Sequence, residues 1–279
     1  MTNPDLAAES ARLAESRLRD FRARFRVHYA PVDCFQLIRN LSLFPGMNLF
    51  SQPVNNASSA FDAKAIWLPT IDTYLIQYRE PPERWKQRSG SRRCNFSMAH
   101  ELGHIFCGHL KLPEEMKNDE TLRMEDLEAD AFAGRLLMPD DALKQFCSVQ
   151  EAADALWVSE SAIRFRLRET GIVLKKRTCP WCGFDKIPPG ALYCRMCRLK
   201  LADDPEKAPE ITMRWPVPEV CPICESREPA AGETCPDCRY ARRNRCPDGH
   251  AAPNGAWYCE VCGKETEVRR IKRTGRLEF

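Results

Sequence analysis

Over the first 175 positions, apolar residues recur at helical spacing, break into short runs, and then return to helical spacing. Leu6, Leu13, Leu18, Phe21 and Phe25 lie near a 3.6-residue period and predict a helix over roughly residues 5–26. Pro31-Val-Asp33 opens a second helix, with Asp33 and Gln36 spaced for a capping box. Strand-like runs follow at Asn48-Leu-Phe50, Ala65-Ile-Trp-Leu68 and Tyr74-Leu-Ile-Gln-Tyr78. A polar, basic loop over residues 80–93 separates them from further helices over about 97–110 and 120–138. Pro139 ends the second of these, and two shorter helices run on to Gly171, a residue suited to a helix stop. A small sheet followed by helices is an α+β arrangement.

Near residues 175–178 the helical pattern gives way to short segments rich in Pro, Gly and Cys. Eleven of the fifteen cysteines fall within residues 179–262, mostly as Cys-x-x-Cys pairs, and the odd total is incompatible with complete disulfide pairing. Two thiolates at that spacing bind one metal from a tight knuckle, so the pattern reads as zinc. Cys179, Cys182, Cys194 and Cys197 form a first four-thiolate set, and Cys221, Cys224, Cys235 and Cys238 a second. The third set, Cys246, Cys259 and Cys262, takes His250 as its natural fourth ligand. Each set is closed by its own ligands and is expected to be structural, because segments this short cannot bury enough core to fold without metal. The expected organisation is one domain over residues 1–175, including a helical hairpin over 148–171, and then zinc ribbons over 176–201, 219–243 and 244–279. A linker occupies 202–218, and the last ribbon carries a basic tail.

Charge narrows the class of protein. The 279 residues carry 42 Lys and Arg against 39 Asp and Glu, a net charge of +3, which excludes a strongly basic chromatin-type protein. No apolar run approaches the length of a membrane span, and the N-terminal segment lacks the apolar core of a signal peptide, so a cytoplasmic protein is expected. Residues 179–279 hold 17 basic and 15 acidic side chains, and metal-bound thiolates would make this part net negative. Basic clusters remain at 239–245 and 269–276, but a DNA-binding module usually carries a stronger basic face. The ribbons are therefore expected to recognise a protein or to act as sensors, ahead of contacting nucleic acid.

The strongest chemical signal is His100-Glu101-Leu102-Gly103-His104. Helical residues four apart lie one above the other, so His100 and His104 can present both imidazoles to one zinc, with Glu101 beside them as general base. A catalytic zinc also needs a third protein ligand and an open position for water. Glu128, on the following helix, is the candidate third ligand, and Glu125, one turn earlier, is the reserve. His109 is one place off the spacing of the longer three-histidine motif and is read as lying beside the site or on the surface. Cys94 and Cys107 read as small buried thiols. Candidates for the oxyanion partner are Tyr74, Tyr78, Arg93 and His109, and residues 74–78 as an edge strand would let an extended substrate pair alongside. Residues 148–171 have two readings. One is a helix-turn-helix whose second helix carries Arg164, Arg166 and Arg168; the preferred one is a packed hairpin with those arginines on its solvated face.

Phe96-Ser-Met-Ala-His-Glu-Leu-Gly-His104, Gly108-His109 and Glu128-Ala-Asp-Ala-Phe-Ala-Gly-Arg-Leu-Leu-Met-Pro139 together resemble the ImmA/IrrE family of zinc metallopeptidases. Pro31-Val-Asp33, Val158-Ser-Glu-Ser-Ala162, Arg166-Leu167 and Gly171 resemble it as well, so the likeness spans roughly residues 10–175. It implies a gluzincin-like, zincin-type core with zinc on His100, His104 and Glu128 and with Glu101 as general base. It also implies a protein substrate, such as a helix-turn-helix repressor that governs a stress response or a mobile element. Residues 47–93 are longer and less regular than the family's common form, and the Cys-rich extension is absent from its usual members. The expectation is a cytoplasmic zinc metallo-endopeptidase that cuts a regulatory protein, with one catalytic and three structural zinc ions and ribbons that dock a partner. The alternative is a ribbon-based protein- or DNA-binding regulator in which the protease fold is a scaffold. A third reading uses the ribbon thiolates as a redox or metal sensor.

Overall fold

The computed structural model describes residues 4–54, 62–79, 89–174, 176–202, 210–215, 218, 220–227, 234–241 and 243–275. Much of the linker expected over 202–218, residues 80–88 of the expected loop, and Arg242 and Arg276 of the basic clusters lie outside the described residues. The chain divides into two compact units, one of Met1–Pro139 with Leu156–Glu169 and the other of Asp140–Ala155 with Thr170–Phe279. The hairpin expected over 148–171 is thus split between them instead of lying wholly in the first.

The helices are α1 (Pro4–Phe25), α2 (Cys34–Ser42), α3 (Ser89–Cys107), α4 (Asp119–Leu137), α5 (Asp140–Leu143), α6 (Val149–Leu156), α7 (Glu160–Thr170) and α8 (Glu267–Thr274). Strands β1 (Leu49–Val54), β2 (Ala63–Leu68) and β3 (Thr73–Arg79) form a sheet in the order β1-β3-β2. Because α3 begins at Ser89, residues 89–93 are helical and not part of a loop. β1 runs parallel and β2 antiparallel to β3. Residues 74–78 are therefore central, with a hydrogen-bonded neighbour on each side, and the expected edge strand is corrected: β2 is an edge of this sheet.

In the first unit each helix buries one stripe. α1 buries Ala14, Leu18 and Phe21, and α3 buries Cys94, Met98, Ala99, Leu102 and Ile105, both near the helical period. The Phe21 ring meets Phe106 edge-on at 4.6 Å and Phe132 at 5.6 Å, which ties α1, α3 and α4 together. Asp33 accepts the N–H groups of Phe35 and Gln36 at the start of α2. Asn118 accepts that of Thr121 at the start of α4, where Asp119 and Glu120 also face the positive end of the helix dipole. α3 and α4 approach so closely that a Cβ on Gly103 would lie 2.8 Å from Ala129 Cα and 2.9 Å from its carbonyl oxygen. On α7, Arg166 is only 4% exposed; it donates to the Met138 carbonyl (3.3 Å) and pairs with Glu169 (2.8 Å). The solvated face expected for the three arginines is corrected, since the middle one is a buried structural group.

In the second unit Ser148 Oγ accepts the Glu151 N–H (3.2 Å) while Glu151 Oε2 accepts the Cys147 N–H (3.0 Å), a reciprocal cap at the start of α6. The metal knuckles share one backbone design. After each Cys-x-x-Cys the next residue turns left-handed, at Gly183, Arg198, Glu225, Arg239 and Gly263. Its N–H returns to the carbonyl of the first cysteine at 2.9–3.0 Å, and the first cysteine's N–H bonds the carbonyl two residues past the second. The first and third ribbons meet in matching registers. Leu192 and Tyr193 donate to the Glu260 carbonyl, and Trp257 and Tyr258 donate to the Arg195 carbonyl. Arg195 and Glu260 each follow the first cysteine of their ribbon's second knuckle, and they form a buried bidentate pair at 2.7 and 2.9 Å. The second ribbon packs Cys221, Cys235 and Tyr240 against Val268 and Ile271 of α8.

Gly103→Ala should cost about 1–3 kcal/mol in a denaturant titration, because backbone rather than a movable side chain blocks the new methyl group. Arg195→Met should destabilise the zinc-loaded second unit by about 3–5 kcal/mol by leaving Glu260 charged and unpaired. Adding Glu260→Met should recover most of that loss in the same titration.

Candidate active site

α3 carries His100 and His104 one turn apart, and their Nε2 atoms face each other at 3.0 Å. Asp126 of α4 places Oδ1 3.5 Å from His104 Nε2 and 4.0 Å from His100 Nε2. Two nitrogens bound to a tetrahedral zinc lie about 3.3 Å apart, so this donor set fits the ion, with an aspartate supplying the oxygen. Burial above all, with His100, His109 and Lys117 close by, pushes the His104 pKa down to about 3, which leaves the neutral imidazole that a metal requires. For His100, burial acts downward but is outweighed by Asp130, whose carboxylate lies 2.8 Å from Nδ1, and the net shift is upward. Asp130 also fixes the ring so that Nε2 faces His104.

Glu101 extends to β2, where its Oε2 accepts the Ala65 N–H at 2.7 Å. Burial raises its pKa, while the Ala65 hydrogen bond and the nearby His100 and Lys64 offset part of the rise. A carboxylate so placed is a stronger base than an exposed glutamate. A cleft of about 940 Å³ runs past these groups, lined by residues 63–67 of β2, by His100, Glu101 and His104, by the turn after α3, and by Asp126.

Glu128 is not brought to the histidine pair. Its Oε2 lies 2.8 Å from His109 Nε2, and His109 Nδ1 in turn faces His104 Nδ1 at 3.0 Å. Residues two apart on a helix are about 200° apart around its axis, so Asp126 and Glu128 leave opposite flanks of the buried stripe of α4. Glu128 is the carboxylate expected beside the pair; the Asp126 carboxylate lies within 4.0 Å of both Nε2 atoms. The reserve, Glu125, accepts from Lys117 Nζ at 2.7 Å and lies within metal-holding distance of His104 and His109. Asp126, Asp130 and the Ala65 N–H escaped the sequence reading. The i, i+4 spacing of the two aspartates, which mirrors His100 and His104, was the available signal.

Tyr74 packs on Trp67, Tyr78 on Phe35, and Arg93 pairs with Asp62. Among the described residues neither these three nor His109 is in the lining of the cleft. Cys94 is buried, and burial pushes the Cys107 thiol up to about 12, so neither is a ready nucleophile.

In the second unit the facing sulfurs lie at 3.5 Å (Cys179–Cys197), 3.7 Å (Cys182–Cys194), 3.6 Å (Cys221–Cys238) and 3.6 Å (Cys224–Cys235). In the third set Cys262 lies 3.6 Å from Cys246, and His250 Nδ1 lies 3.5 Å from Cys246 and 3.8 Å from Cys259. Sulfurs about 2.3 Å from a tetrahedral zinc are about 3.8 Å apart, so all three sets fit zinc.

Residues 86–168 match the family model Peptidase_M78, described as the IrrE N-terminal-like domain, and are similar to that domain. The matched stretch contains His100, Glu101, His104 and Asp126, and the family is one of metallopeptidases. Comparison with curated proteins finds no match. No described helix is long and apolar enough to cross a membrane.

Ala65→Pro should raise the Glu101 pKa further, because the lost N–H stabilises the charged carboxylate. An edge strand tolerates proline where its N–H points away from the sheet. Carboxyl NMR titration of wild type and variant checks the direction of the shift.

Proposed function

We propose that the first unit is a zinc metallo-endopeptidase that cuts a regulatory protein, with His100, His104 and Asp126 as the metal ligands and Glu101 as the general base. The observation that carries this reading is the convergence of two imidazole Nε2 atoms and the Asp126 carboxylate beside the half-buried Glu101 on one side of a cleft. Zinc held there would supply Lewis-acid polarisation of the scissile carbonyl and would acidify water. Glu101 takes the proton from the attacking water and returns it to the leaving amine. Anchoring one of its oxygens on Ala65 leaves the other for this exchange and holds the carboxylate against rotation.

The substrate path follows β2. The Asp62 carbonyl accepts the Arg79 N–H (2.9 Å) while the Ala65 N–H turns the other way to Glu101, so alternate residues of β2 present backbone groups to the cleft. An extended peptide can pair with the groups of Ala63 and Trp67 and pass Glu101 on the way. The family resemblance makes a helix-turn-helix repressor the favoured substrate. The ribbons, each closed by four ligands, serve as a rigid element for docking a protein partner. Their basic helix α8 is partly neutralised, since Arg269 and Arg273 both pair with Glu265. This supports protein recognition over nucleic-acid contact.

The His100→Ala/His104→Ala double variant should lose one zinc per chain relative to wild type, and so should Asp126→Ala. Glu101→Gln should keep that zinc and lower kcat/KM on a protein substrate roughly 10²–10⁴-fold. Equal zinc contents for wild type and the double variant would overturn the proposal. An activity limb that falls with acid should appear above the usual glutamate range, because protonating a carboxylate of raised pKa removes the base.

A further inference from the structure

The buried pair His109–Glu128 has no task in the reaction just described, although both residues lie behind one of its proposed ligands. In an uninterrupted helix, residues five apart point to different sides, so His109 would face away from His104. The chain prevents this. α3 ends at Cys107, Gly108 takes the left-handed conformation (φ 86°), and the short turn His109–Lys111 brings the imidazole back under His104. There His109 is 6% exposed and Glu128 14%. Lys117 clamps the turn by donating to the His109 carbonyl (2.6 Å) and to Glu125 (2.7 Å).

With Glu128 ionised and His109 neutral, one arrangement of ring protons satisfies every contact along this row. An ionised carboxylate only accepts, so Glu128 Oε2 at 2.8 Å takes the proton on His109 Nε2. His109 with that single ring proton offers a lone pair at Nδ1, and the nitrogen facing it at 3.0 Å, His104 Nδ1, must then be the donor. A His104 protonated at Nδ1 has its bare lone pair at Nε2, which faces His100 and Asp126. His100 receives the same service directly, from Asp130 on its Nδ1.

We propose that Glu128 and His109 are positioning residues for His104: the carboxylate sets the tautomer and orientation of a metal-binding imidazole through an intervening imidazole. The proposal rests on the metal site described above. It assigns Glu128 a role as anchor of this row instead of as a ligand.

The test is competition for zinc by chelators of graded affinity on the full chain, comparing wild type, Glu128→Gln, His109→Phe and the double variant, with His100→Ala/His104→Ala marking the ion that belongs to this site. Glu128→Gln is isosteric, removes the charge and turns one acceptor oxygen into an N–H donor; His109→Phe keeps a ring without nitrogens. Each single variant should release that ion about 10–100-fold more readily than wild type, with the ribbon zinc unaffected. The double variant should be no worse than His109→Phe alone, because both act through one row. NMR of isotope-labelled histidines should show His104 protonated on Nδ1 in wild type and this proton exchanging faster with water in His109→Phe. Wild-type affinity in His109→Phe with weakened binding in Glu128→Gln would make Glu128 a ligand and overturn the proposal. Wild-type affinity in both variants, or losses that add, would overturn it too. If wild type holds no ion that the His100→Ala/His104→Ala variant lacks, the metal site itself falls, and this assignment falls with it.

Discussion

Gly103 lets the backbones of α3 and α4 meet at Ala129, and that contact sets both the distance and the rotational phase at which two rows of polar side chains face each other. His100 and His104 project from one helix, and Asp126 and Asp130 project from the other at the same four-residue spacing. A side chain at position 103 would separate the helices and weaken every cross-helix contact together. The apolar stripes hold this phase: Met98, Ala99 and Leu102 on one helix and Phe132, Ala133 and Leu136 on the other leave no alternative rotation that keeps both cores buried.

The two kinds of metal site differ in what makes them form. A knuckle carries its geometry in its own few residues, because the left-handed residue after the second cysteine and the return hydrogen bond to the first are local features. Such a site folds when metal supplies the missing cohesion, and four ligands leave it chemically closed. The histidine site is assembled from residues far apart in the chain and carried by a core that packs apolar side chains. Its imidazole and carboxylate atoms sit beside Glu101, a strand edge and an open cleft, an arrangement suited to chemistry on a substrate.

Buried charge is handled alike in both units. Arg195 with Glu260, Arg166 with Glu169, and Lys117 with Glu125 each match a buried or half-buried ion with a close opposite charge and further hydrogen bonds. None of these pairs is needed for cohesion in itself, since an apolar pair of like volume could do as well. Each fixes a register: ribbon against ribbon, α7 against the end of α4, and the turn after α3 against α4.

What the sequence determined by itself is everything encoded at short range. The HELGH spacing, the Cys-x-x-Cys knuckles with their His250 variant, the Asp33 cap and the helix stop at Pro139 depend on residues within one or two turns, so their geometry follows from local backbone rules. The strand runs were legible for the same reason, but not their order, because pairing β1 and β2 on either side of β3 is decided by long-range contacts. The choice among Glu125, Asp126 and Glu128 was likewise invisible. Three carboxylates within four residues look alike in a sequence, and only the phase of α4 against α3 decides that Asp126 meets the histidines while Glu128 meets His109. Tertiary packing made that decision because two positions along a helix rotate a side chain to nearly the opposite side.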